Sequence, residues 1–174
     1  ESLRFSAGLA ERLVVSQFEL RAADVEANLT GQLALEAPFD LSVAVEGCFE
    51  AGGGTDVAKL MLPFRLDSAG NLDKLQFTLV STENGLKLGT ELLDMSISGS
   101  ASTSGMQLRS ATLTGPGINL EAGGTVDWSS QIRAGLNLAI HQLDLSPWLP
   151  DWPVGERLLG NFELDWSETG LKIP

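Results

Sequence analysis

This chain is poor in the residues that hold metals, activate nucleophiles or shuttle protons near neutral pH. Among 174 residues there is one cysteine and one histidine. Cys48 alone excludes an internal disulfide framework and any cysteine-based zinc cluster. His141 alone excludes a multi-histidine metal site and leaves a nucleophilic triad with one possible base. Basic residues are scarce too: 11 Lys and Arg stand against 23 Asp and Glu, for a net charge of −12. Nucleic-acid binding draws its affinity from displaced phosphate counterions, and the basic surplus it needs is missing. The same deficit removes a polybasic patch for an anionic membrane surface. No run of about 18 apolar residues occurs, so no helical membrane span is expected, and no signal-peptide pattern is visible. Most enzyme classes are thereby excluded. The expectation is a non-enzymatic protein with no catalytic residue, no metal and no cofactor.

What the chain does contain is apolar residues, 43% of the total, which argues against disorder despite the charge. The length suits one sizeable domain. Beginning at Glu1 without Met and stopping just after a strand-like run, residues 1–174 read as a single segment excised from a longer protein.

Period-two alternation dominates. Odd positions read Val25, Ala27, Leu29, Gly31, Leu33 and Leu35, then Phe39, Leu41, Val43, Val45, Gly47 and Phe49. Between them stand Glu26, Asn28, Thr30, Gln32, Asp40, Ser42 and Glu46. Successive side chains leave a strand on opposite faces, so this is one apolar and one wet face. Ala37-Pro38 breaks the series and predicts a tight turn between two strands. The signature recurs in Leu60, Leu62, Phe64 and Leu66; a turn is expected over Ser68-Ala69-Gly70-Asn71, and Leu75, Phe77 and Leu79 follow it. Asn84-Gly85 is a hairpin signal. Further alternating sets are Leu93, Met95 and Ile97; Met106 and Leu108; Ile118 and Leu120; Ile132, Ala134, Leu136, Leu138 and Ile140; and Leu158, Gly160, Phe162, Leu164 and Trp166. About a dozen strands and no amphipathic helix predict an all-β, antiparallel fold.

Two features bear on function. Several strands run ten or more residues, above the usual five or six. Leucine outnumbers valine plus isoleucine by 30 to 14, although strands ordinarily favour β-branched residues. So many apolar faces need a cover, and the sequence supplies no helices for it. Either the sheet folds onto itself as a sealed sandwich or barrel, or it curls incompletely into an apolar groove. Long strands and a leucine-rich face favour the groove. Its expected lining is Leu29, Leu33, Leu35, Phe39, Leu41, Val43, Val45 and Phe49, with Leu60, Leu62, Phe64, Leu66, Leu75, Phe77, Leu79, Met95 and Ile97. From the C-terminal part come Ile132, Leu136, Leu138, Ile140, Phe162, Leu164 and Trp166. Gly31, Gly47, Gly99 and Gly160 stand where side chains would crowd a curled sheet, or else mark bulges and strand ends.

The remaining motifs carry little chemistry. Gly52-Gly53-Gly54-Thr55-Asp56 lacks the following helix and the Lys-Ser/Thr of a phosphate cradle, and reads as a flexible hairpin. Asn28-Leu29-Thr30 matches a glycosylation acceptor but lies mid-strand. Cys48 has no basic neighbour in sequence and reads as a bystander thiol. His141 near Asp144 and Ser146 allows a triad on paper, without a nucleophile elbow. The carboxylates are scattered on outward parities and solubilise a face. In the segment from Leu143 to Pro153, Ser146 before Pro147 predicts one short helical turn. Trp148 and Trp152, one turn apart, either close off the apolar interior or line a ligand path.

Three stretches carry a family resemblance: Gly123-Gly124-Thr125-Val126-Asp127-Trp128 with the long strand after it, Leu143-Asp144-Leu145-Ser146-Pro147-Trp148-Leu149-Pro150, and Leu159-Gly160-Asn161-Phe162-Glu163-Leu164. Over roughly residues 115 to 170 the chain resembles the TamB and AsmA-like proteins of Gram-negative envelopes. The resemblance implies a curled, incompletely closed β-groove with an apolar interior, in a periplasmic protein anchored in the inner membrane. It implies passage of phospholipid acyl chains between the two membranes. The partners it implies are neighbouring modules of the same chain and a TamA-like outer-membrane barrel. The alternative within the same setting is a scaffold for outer-membrane protein assembly that pairs its strands with a client. A closed carbohydrate-recognition sandwich is a third reading, but it calls for outward aromatic residues that the pattern lacks.

Overall fold

The computed structural model describes residues 2–51, 60–71, 73–82, 85–88, 91–146, 153, 155–167 and 170–172. The protein is all-β: among the described residues 78% are in strands and there is no helix. Thirteen strands form one antiparallel sheet: β1 (Ser2–Leu9), β2 (Arg12–Arg21), β3 (Val25–Ala34), β4 (Leu41–Ala51), β5 (Leu60–Asn71), β6 (Lys74–Ser81), β7 (Leu86–Leu88), β8 (Glu91–Ala101), β9 (Gly105–Gly115), β10 (Ile118–Asp127), β11 (Arg133–Leu143), β12 (Leu158–Ser167) and β13 (Gly170–Lys172). They follow one another in space as in sequence, and the sheet does not close into a barrel. The expected long strands are present. β5 has 12 residues, which at about 3.3 Å per residue is roughly 40 Å.

Register turns the alternation into continuous rows, because residues directly opposite in an antiparallel pair share a face. One row runs Phe5, Phe18, Leu29, Val45, Leu66, Leu79, Ile97, Ala111, Ala122, Leu138 and Phe162, without a polar member. The row crosses eleven strand positions, about 50 Å at the usual interstrand spacing. A second runs Leu9, Leu13, Leu33, Leu41, Gly70, Leu75, Ala101, Met106, Val126, Ala134 and Trp166. On the opposite face the pairing brings Glu19, Asn28, Glu46 and Arg65 side by side.

A one-residue slip would turn a strand's apolar side chains to the wet face, so irregularities must be compensated. Bulges do this. Ser16 and Gln17 interrupt β2 between Val15, opposite Gly31, and Phe18, opposite Leu29. His141 and Gln142 do the same in β11 between Ile140 and Leu143. In each case the extra residue is polar and the apolar rows resume in register.

The fold corrects several sequence expectations. β1 and β2 were not foreseen; in β2 the Ser16-Gln17 bulge shifts the apolar parity from odd to even within one strand. Leu35 and Phe39 lie in the β3–β4 turn rather than in strands, each 41% exposed. The cause is a wider turn: the Ala34 N–H donates to the Asp40 carbonyl and the Phe39 N–H to the Glu36 carbonyl. Ile132 precedes β11 and is 44% exposed. Ser68 to Asn71 continue β5; the reversal comes after Asn71, whose Oδ1 accepts the N–H groups of Asp73 and Lys74 at 3.1 and 2.9 Å. Asn84 of the expected Asn84-Gly85 hairpin lies outside the described residues. β6 and β7 both pair antiparallel with β8 and both with β5, so they run the same way in one interrupted strand position.

Pro63 supplies the reason for that interruption. Its carbonyl accepts the Thr82 N–H at 3.0 Å, so this edge of the residue faces β6, where proline has no N–H to give. The neighbouring chain leaves the ladder there and rejoins it at Leu86.

Candidate functional site

Every expected lining residue except Leu35, Phe39 and Ile132 stands on a strand, and all of those strand residues share one face. This face has little cover. Among the described residues only Leu86, Leu93 and Ile118 are buried hydrophobics, Leu93 most completely at 1% exposed. They form a cluster at one end of the strands, with Leu60, Leu62, Leu113, Leu120 and Leu143 packed partly against it. Elsewhere the apolar rows are half-buried, and toward the sheet edges they are open. Phe5 is 61% exposed, Phe162 46% and Trp166 42%. Phe5 and Phe18 meet edge to face at 6.4 Å across β1 and β2, at the exposed start of the row that ends at Phe162.

The backbones approach closely behind two of the glycines singled out in the sequence. A methyl group at Gly47 would collide with the Glu26 carbonyl oxygen and lie 3.0 Å from the Phe64 ring. One at Gly99 would collide with the Gln107 carbonyl oxygen and lie 2.7 Å from the ring of Phe77. Each phenylalanine is the cross-strand partner of its glycine, so an aromatic ring occupies the space that the missing side chain leaves. At Gly160 a methyl group would meet only the ring of Phe162, at 3.2 Å.

Two hydroxyls interrupt the apolar rows. Ser81, where β6 ends, accepts the Met95 N–H at 2.9 Å and donates to the Met95 carbonyl at 3.4 Å. Ser68, between Val43 and Phe77, has its Oγ buried without a hydrogen-bond partner.

Hollows occur on both sides of the sheet. The larger ones are edged by wet-face side chains: about 570 Å³ beside Asp67, Gln76, Thr78 and Arg109, about 430 Å³ beside Lys74, Ser100, Gln107 and Asp127, and about 350 Å³ beside Arg109, Glu121, Asn137, Asn161 and Glu163. At the end of the apolar rows, a hollow of about 220 Å³ lies between Leu41, Leu75 and Ala101, rimmed by Asn71, Ser102 and Thr103.

The wet face carries ordinary surface electrostatics. Arg65 bridges Glu46 at 3.0 Å and Asp67 at 2.8 Å; the hydrogen bond from Arg65 holds the Asp67 carboxyl below its usual range. Hydrogen bonds from Ser129 lower Asp127, and hydrogen bonds from Ser146 lower Asp144. No triad is assembled. His141 Nε2 lies 3.6 Å from Glu121, while the Asp144 carboxylate accepts the Ser146 N–H at 2.9 Å. Cys48 is in no disulfide, with its thiol near the Phe49 carbonyl at 3.9 Å. Among the described residues no group of three His, Cys, Asp or Glu is placed to hold a metal ion, and no helix is long and apolar enough to cross a membrane. The Gly52-Gly53-Gly54-Thr55-Asp56 loop, Trp148 and Trp152 lie outside the described residues.

Comparison with protein-family models, with curated proteins and with solved structures finds no match to this chain.

Proposed function

We propose that this protein is a non-enzymatic lipid-binding β-sheet whose apolar face holds the acyl chains of phospholipid. The observation that carries the reading is the unbroken row from Phe5 to Phe162 on a face that no second layer among the described residues covers. Exposed apolar patches beyond a few hundred Å² are rare on soluble proteins and mark binding surfaces. Each methylene removed from water contributes on the order of 0.8 kcal/mol, so contact along the rows offsets part of the cost of leaving a bilayer. A lining of many similar weak contacts also lets a chain shift from one position to the next. The resemblance over residues 115 to 170 adds the setting. It supports a periplasmic segment of an inner-membrane-anchored protein, working between neighbouring modules of its own chain and a TamA-like barrel, in outer-membrane biogenesis.

A second reading, a scaffold that pairs strands with a client or partner, draws on β1. Every residue of Ser2–Leu9 is exposed, and Leu3, Phe5, Ala7 and Leu9 alternate along an outer edge with a single charge, Arg4. Such an edge is a template for strand addition.

Native mass spectrometry of the purified chain tests both. Co-purified phospholipid, lost in Leu136→Asp with the fold retained by circular dichroism, is the expected result. Lipid-free protein, or lipid retained undiminished in that variant, counts against the apolar face. Proline substitutions in β1 that abolish partner capture while lipid stays bound would favour the scaffold.

A further inference from the structure

The apolar face is not the same at its two ends. At one, Leu86, Leu93 and Ile118 close it with their own side chains. At the other lies the 220 Å³ hollow, roughly the liquid volume of seven waters. The sequence makes it. In the row Leu41, Gly70, Leu75, Ala101, the alanine that walls the hollow beside Leu75 offers only a methyl.

The rim differs from the walls. Asn71 commits its Oδ1 to the N–H groups of Asp73 and Lys74, which leaves its amide NH₂ as a donor. Thr103 gives its carbonyl to the Trp128 indole N–H at 2.9 Å, and its hydroxyl has no partner among the described residues. None of the six residues around the hollow carries a charge, in a chain of net charge −12.

From this polarity, and resting on the lipid-binding reading above, we infer that the hollow between Leu41, Leu75 and Ala101 is the entry site for one acyl chain of an amphiphile. Its hydrogen-bond-accepting head sits against Asn71 and Thr103, and its methyl end points along β5, β6 and β8 toward Leu93. The strand offers room: from Gly70 to Leu62 along β5 is eight residues, about 27 Å, which exceeds the about 15 Å of one leaflet's hydrocarbon, half of a bilayer core. A chain so placed lies along the strands, whereas the long apolar rows run across them.

The test uses the whole chain with stearic acid, spin-labelled either beside its carboxylate or near its methyl end, and reads broadening of leucine and isoleucine methyl signals. The label beside the carboxylate is expected to broaden Leu41 and Leu75; the other is expected to broaden Leu66, Leu79 and Ile97. Ala101→Phe, which fills the hollow, should weaken binding about tenfold or more. Should that variant fail to fold, Asn71→Asp serves instead. It keeps the turn's acceptor and replaces the donor with a charge that repels the carboxylate, so affinity falls. A spin-labelled lysophosphatidylcholine tells the head chemistries apart. The same pattern means that any acceptor head serves, its loss means that a carboxylate is needed, and both results support the site. Broadening in the reverse order or spread evenly over the rows, or unaltered binding in the folded variants, overturns the inference while leaving acyl binding to the face intact. Absence of any stearate binding removes both.

Discussion

Ser68 shows how one polar atom behaves on a face otherwise built of hydrocarbon. Its hydroxyl lies between Val43 and Phe77, shielded from water and given no partner. Ser81, the other hydroxyl in the rows, takes both the N–H and the carbonyl of Met95 and so joins β6 to β8 just where β6 ends. An unpaired buried hydroxyl costs its desolvation with no return, whereas a paired one contributes about 1 kcal/mol. Opposite effects follow from the same substitution. Ser68→Ala should raise the urea midpoint by the equivalent of about 1 kcal/mol, and Ser81→Ala should lower it by a similar amount. Equal losses at both sites would mean that Ser68 finds a partner in solution.

At the level of strands, much of the design is written in the alternation. From Val25 onward the apolar parity placed nearly every residue on the correct face, because a half-buried strand has no other way to segregate its side chains. The misses have physical causes of their own. A bulge at Ser16-Gln17 hides β2 from a strict period of two, since the pattern changes parity inside the strand. β6 and β7 share one strand position and run the same way, beside Pro63, which has no N–H to offer that position; local alternation does not show this. The turns around Leu35 and Phe39 are wider than Ala37-Pro38 suggests, because Ala34 and Asp40 close them by backbone hydrogen bonding. The closed end at Leu93 was invisible as a core, since it depends on which strand ends meet. Gly99 combines both levels, as the parity predicted an apolar-face position and the structure shows backbone behind it. Gly99→Ala should therefore destabilise by about 1–3 kcal/mol through forced movement of Phe77 or of the Gln107 backbone. Gly123→Ala, where the added methyl would have 3.5 Å to its nearest neighbour, should be nearly neutral in the same denaturation series. If the two variants were equally stable, the tight approach at Gly99 would not be a constraint.

For the molecule as a whole, the question is whether the apolar face packs against anything in the protein itself. Leu93 and Leu138 make the comparison. Both are leucines on strands of the same sheet and face, but Leu93 is 1% exposed within the closed end and Leu138 is half-buried in the apolar row that ends at Phe162, its neighbour on β12. Truncating a buried leucine removes its transfer free energy and leaves a cavity, together 2–5 kcal/mol, so Leu93→Ala should fall in about that range. Leu138→Ala removes only partly buried surface and leaves no enclosed void, so it should cost about 1 kcal/mol or less. Adding a lipid that fills the face should stabilise the wild-type protein by mass action, and should do so less in Leu138→Ala, because that side chain contacts the guest. Denaturation midpoints measured with and without phospholipid give both numbers. If Leu138→Ala costs as much as Leu93→Ala and the lipid shifts neither, the face is closed by the protein's own atoms and the sheet has no room for a guest. A small cost that grows when lipid is present is the pattern expected of a surface whose missing layer is its ligand.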